Sequence, residues 1–169
     1  MHVRAGLLCI SAVIGFSERS VAEQSVFYEK GHLVQDLSRG LEWMRCSVGQ
    51  RWSLEGETCT GNAVQLNHEE IEQIILQADE QLGQGWRLPT TEELESLLCT
   101  ECPPPKIDPI LFPATEPMPY WTGDRNFFAP RNYWSVNFMT GFTYGRFFPY
   151  QQQMVRLVRD RRAGETIGD

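Results

Sequence analysis

Residues 86–98 read Trp-Arg-Leu-Pro-Thr-Thr-Glu-Glu-Leu-Glu-Ser-Leu-Leu, and this stretch limits the fold more than any other. Pro89 cannot continue a ladder and pushes Leu88 toward extended geometry. Thr90 with Glu93 three residues on makes a capping box. Leu94, Leu97 and Leu98 then share one helical face. A short strand therefore runs straight into a capped helix. A second helix is expected earlier, capped by Asn67 and Glu70, with Ile71, Ile74, Ile75, Ala78 and Leu82 as its apolar stripe and Gly83 as its stop. His68 and the acidic residues of that helix read as a solvated face.

Strand patterns lie on both sides of the two helices. Two short strands are expected around Lys30-Gly31 within 25–36, another over 41–45, and more over 120–123, 133–138, 142–147 and 154–159. In the 133–138 strand, Trp134, Val136 and Phe138 take one face. Residues 46–59 read as a loop pinned by Trp52. Pro103–Pro119 carries seven of the ten prolines and reads as an ordered loop anchored by Ile107, Ile110, Leu111 and Phe112. Helices between runs of strands make an α+β order, a mostly antiparallel sheet with two flanking helices.

The N-terminus reads as a separate element. Arg4, an apolar run from Ala5 to Phe16 and then Ser20-Val21-Ala22 form a secretory signal peptide over 1–22. The run is too short to span a bilayer, and Leu8 is too bulky before Cys9 for a lipoprotein site. The domain is then 23–159, with a polar tail over 160–169. The expected location is secreted, periplasmic or cell-surface. The chain carries a net charge of −7, and loss of Arg4, Glu18 and Arg19 leaves it one unit more negative. Such a protein is not built for nucleic acid, nor for an anionic membrane.

Cys46, Cys59, Cys99 and Cys102 follow the leader. An even number in an exported chain suggests two disulfides. Three pairings are possible, and proximity in sequence favours Cys46–Cys59 with Cys99–Cys102. A redox CxxC usually opens a helix, whereas this one closes one and meets three prolines. Zinc would need further ligands, and the domain holds only His32 and His68, far apart in sequence.

Several short motifs occur in order: Gly40-Leu41-Glu42-Trp43-Met44-Arg45-Cys46, Cys59-Thr60-Gly61, Trp86-Arg87-Leu88-Pro89-Thr90, Phe112-Pro113-Ala114-Thr115, Tyr120-Trp121-Thr122 and Val155-Arg156-Leu157-Val158-Arg159. Together, over about 26–159, they resemble the bacterial secreted domain family named after the C-terminal domain of the Legionella collagen-like adhesin (Lcl). The resemblance implies a C-type-lectin-like fold with paired terminal strands, and no enzymatic activity. The named member attaches to sulfated polysaccharides. The loop motifs of calcium-dependent lectins are missing: Glu116-Pro117-Met118 is half of one, and Trp-Asn-Asp does not occur. No metal or cofactor is therefore expected.

Residues 120–150 hold twelve of the nineteen aromatic residues. Trp121, Trp134, Phe138 and Phe142 are expected in the core. Phe127, Phe128, Tyr133, Tyr144 and Tyr150 fall in loops or on the polar face, beside Arg125, Arg131 and Arg146. Exposed aromatics among arginines are what sugar and protein surfaces use. The expected function is an exported, non-enzymatic binding or adhesion domain for a polysaccharide or surface protein. The alternatives are an assembly subunit of a surface or secretion apparatus, and a thiol oxidoreductase using Cys99 and Cys102. Arg87 is expected to pair with a carboxylate as a structural element.

Overall fold

The computed structural model describes residues 26–161. The expected leader over 1–22 and the tail beyond 161 lie outside the described residues. The architecture is α+β and mostly antiparallel. One sheet takes β1 (Phe27–Lys30), β2 (Leu33–Asp36), β3 (Leu41–Met44) and β11 (Val158–Asp160), in that spatial order. Tight turns make β1, β2 and β3 consecutive hairpins. Gly31 supplies a positive φ at the first, and at the second the Asp36 carboxylate accepts from the Ser38 and Arg39 amides.

The register lines residues up across this sheet. Val34, Trp43 and Val158 form one apolar row, all fully buried. Beside it runs a polar row of Gln35, Glu42 and Arg159. Gln35 Nε2 donates to Glu42 Oε1 at 3.0 Å and Arg159 donates to Oε2 at 2.8 Å, so the buried carboxylate is bonded on both oxygens. Burial disfavours its charge, but those bonds outweigh it and hold its pKa below the ordinary value.

The second sheet runs β6 (Gln65–Leu66), β10 (Gln153–Met154), β7 (Pro119–Arg125), β8 (Tyr133–Asn137) and β9 (Phe142–Phe147). Successive residues of β7 enter different cores. Tyr120 joins Val136, Phe138, Leu94 and Phe112, while Trp121 joins Ile71, Leu157, Tyr133 and Phe147. Both faces are thus covered. The helix α1 (His68–Leu82) and the short α2 (Thr91–Glu95) carry the expected capping boxes. Arg87 forks onto Glu93 at 2.8 and 2.9 Å and reaches Asp160, the expected structural pairing. Both disulfides pair as expected, Cys46–Cys59 and Cys99–Cys102.

Several expectations need correction. The terminal strands share a sheet but are not neighbours: β11 pairs with β3, and β1 lies at the opposite edge. The returning chain adds at the free edge of β3 and leaves the outer edge of β1 open. The strand expected over 154–159 is two strands, β10 in one sheet and β11 in the other. Asp160, assigned to the tail, belongs to β11. The strand expected before Pro89 is a single bridge, Arg87 to Val158. The loop over 46–59 holds a hairpin, β4 (Arg51–Ser53) and β5 (Thr58–Thr60). Ile110 is exposed rather than an anchor; Ile107 and Phe112 hold the proline-rich loop.

At the crossing from β10 to β11 sits Arg156, fully buried. Its guanidinium donates to the carbonyls of Met44 and Arg45, to Thr115 Oγ1 at 2.7 Å, and to Ser47 Oγ. Burial pulls its pKa down to about 10, so it stays charged at neutral pH. The side chain therefore ties the end of β3, the proline-rich loop and the sheet crossing together.

Candidate binding cleft

The site begins with the loop between β7 and β8, which Asn126 organises. Asn126 Nδ2 donates to the Gly145 carbonyl at 2.6 Å, and Oδ1 accepts from the Phe128 amide at 2.9 Å. Backbone bonds from Asn126 to Asn132, Ala129 to Asn126 and Asn132 to Ala129 close the loop. The side chains it presents are Phe127 and Phe128, 87% and 92% exposed. Their rings meet edge to face at 5.5 Å. The loop is thus fixed by polar contacts, and the two rings take no part in fixing it.

Behind the loop lies Trp134, half-buried rather than in the core as expected. It sits beside irregularities in the pairing of β7, β8 and β9. Gly145 makes room for it: a Cβ there would fall 2.8 Å from the indole ring and 2.6 Å from Asn126 Nδ2. A glycine inside a strand marks such a close approach. Phe127, Phe128 and Trp134 border a cleft of about 500 Å³, completed by Thr91, Glu95, Asp124, Arg125, Asn126 and Thr143. Asp124 Oδ2 accepts from the Thr91 amide at 2.6 Å, and Glu95 Oε1 accepts from Thr143 Oγ1. The Arg125 guanidinium lies over the Tyr133 ring at 5.0 Å and bonds the Pro130 carbonyl.

Of the eight residues singled out from the sequence, Arg125, Phe127 and Phe128 come together in this cleft. Arg131 is exposed on the same loop without lining it. Tyr133 is half-buried, its ring 3.8 Å from that of His68. His68 is itself not on a solvated face: it packs on Trp121 and Tyr133, and its Nε2 is buried without a hydrogen-bond partner. Burial, and then the charge of Arg125, lower its pKa to about 4. Tyr144 and Arg146 pair with each other on β9 at 4.9 Å. Tyr150 is 72% exposed and stacks on Phe148, which the sequence had not singled out. Phe142 is exposed on edge strand β9, not in the core. Sequence reasoning also missed Trp134, Asn126 and the pair Glu95 and Asp124. Gly145, isolated in a strand of aromatics, was the signal that pointed to Trp134.

A second concavity of about 540 Å³ opens between α1 and the β4–β5 hairpin, lined by Trp52, Leu54, Ile74 and Leu157 among others. Arg45 stacks over Trp52 at 4.2 Å, and Leu54 is 82% exposed. Among the described residues, no group of three His, Cys, Asp or Glu could hold a metal ion. No described helix is long and apolar enough to cross a membrane.

The family model for the Lcl C-terminal domain matches residues 32–159, which takes in every element from β2 to the middle of β11. The chain belongs to the Lcl C-terminal domain family. Searches of curated proteins and of solved structures return no match. The Lcl match includes both disulfides, the buried Arg156 and the whole aromatic cleft.

Proposed function

We propose that this Lcl C-terminal domain is an exported, non-enzymatic adhesion module that takes a polysaccharide or surface protein at the aromatic cleft. One observation carries the reading: a hydrogen-bonded loop holds Phe127 and Phe128 out in solvent beside Trp134. Exposing two adjacent phenyl rings costs hydrophobic free energy that burial would recover, and they do not brace the loop. Aromatic faces with amide and hydroxyl groups nearby suit the apolar faces and hydroxyls of sugars, and equally the anchors of a protein partner. Export is supported by the two disulfides, which persist in oxidising compartments.

The test is a glycan array and a pull-down with the mature domain, repeated with Phe127→Ala/Phe128→Ala and with Trp134→Ala. Binding should fall at least about tenfold in each while the fold is retained. Binding that survives both variants would remove the cleft from the function. A second reading, an assembly subunit of a surface apparatus, is favoured by the groove beside α1 with Leu54 at its rim. A stable co-purifying protein that Leu54→Asp releases, without any glycan signal, would select it.

A further inference from the structure

We propose that the cleft selects an amine-bearing glycan, one whose sugars carry protonated amino groups. This rests on the reading of the cleft as a glycan site. The cleft is lined by two carboxylates, Glu95 from α2 and Asp124 from β7, and by three aromatic rings. Neither carboxylate belongs to an ion pair among the described residues. Each accepts one neutral hydrogen bond, from Thr143 Oγ1 and from the Thr91 amide, and so has acceptor capacity left for a ligand.

The one cation on the lining, Arg125, is turned to other partners, the Tyr133 ring and the Pro130 carbonyl. The cleft therefore carries an excess of negative charge. Indole and phenyl faces add to it, because their quadrupoles attract an ammonium group. An ammonium between carboxylates and ring faces is favoured by both effects, while a sulfate or carboxylate on the ligand is repelled by the first. A volume near 500 Å³ suits a short run of sugar rings rather than a macromolecular face. The acidic cleft thus inverts the charge preference that a sulfated polysaccharide would require.

Three oligosaccharides of equal length make the test: a glucosamine hexamer, its fully N-acetylated counterpart and a heparin fragment, each titrated calorimetrically into the mature domain. The glucosamine hexamer should bind at least about tenfold more tightly than the acetylated one, and heparin should not bind. Glu95→Gln with Asp124→Asn keeps both neutral hydrogen bonds and removes only charge. It should erase the preference, bringing the two hexamers to within about twofold of each other, while the thermal midpoint shows that the fold is retained. A preference that survives this double variant, or tighter binding of heparin, overturns the proposal. Equal binding of the two hexamers, abolished by Trp134→Ala, would overturn it while leaving the cleft a glycan site. If no hexamer binds but a lysine-rich peptide does, with the same Trp134 dependence, the glycan assignment itself falls.

Discussion

The crossing between the two sheets and the loop over the cleft invert the usual placement of side chains in opposite senses. At the crossing a guanidinium, Arg156, is fully buried; at the loop Phe128 is 92% exposed. The buried charge is held by its two terminal nitrogens, which reach two carbonyls and two hydroxyls from two separate segments, 44–47 and the proline-rich loop, and Nε alone is left without a partner. The exposed rings touch each other and brace nothing. An inversion whose charged end is bonded to several parts of the fold is architecture. One whose groups are left without partners inside the fold is available for something outside it.

That contrast is broken most directly at Arg156. Arg156→Met removes the donors that the carbonyls of Met44 and Arg45 and the hydroxyl of Thr115 accept from. Loss of about 3–5 kcal/mol is expected, read as a lowered urea midpoint. A loss under about 1 kcal/mol would mean that water replaces the guanidinium, and the crossing would no longer count as architecture. Gly145→Ala lies between the two regions. Its new methyl would press on Trp134 and Asn126, and a loss of about 1–3 kcal/mol is expected as the strand shifts. Ligand binding should weaken with it, because the same residue seats the ring and the loop.

How far these regions could be read from sequence differs for the same physical reason. Capping boxes at Asn67 and Thr90, the turn at Lys30-Gly31 and the close cysteine pairs depend on neighbours in the chain, and all were legible. Arg156 was not. In Val155-Arg156-Leu157-Val158-Arg159 a strand pattern suggests one continuous ladder, yet only coordinates show the chain changing sheets there. His68 failed similarly: its helix is amphipathic, but Trp121 and Tyr133 arrive from other elements to cover it. The exposed phenylalanines were legible because the loop 126–132 offers no periodic face to bury them. Glu95 and Asp124 were not, since their meeting in one cleft is set by how α2 packs against β7.

His68 sharpens the comparison through pH, as a half-buried group whose Nε2 is covered and without a partner. Its native pKa is lowered from 6.5 to about 4 by burial. Between those values the unfolded chain binds the proton and the native chain does not, so stability falls as pH drops from 6.5 and the loss is complete near 4. Glu42 and Glu93, whose pKa values are lowered from 4.5, lose their contribution only further down. Thermal midpoints across this range should show a decline that His68→Phe flattens. An unchanged decline in the variant would show that protonated His68 finds solvent without cost.

The smallest stability effect should come from the loop, and its smallness is what gives it value. Phe127→Ser with Phe128→Ser removes two large rings, yet the bonds that shape the loop run through Asn126, Ala129 and Asn132 and stay in place. A change within about 0.5 kcal/mol is expected, the range of surface substitutions. Asn126→Ala is the matched control, because it releases the Gly145 carbonyl and the Phe128 amide while keeping both rings. If the ring variant costs more than the asparagine variant, the phenylalanines support the loop and the contrast with Arg156 disappears. If it costs less and abolishes ligand capture, the rings are present for the ligand, since the fold would keep its stability without them.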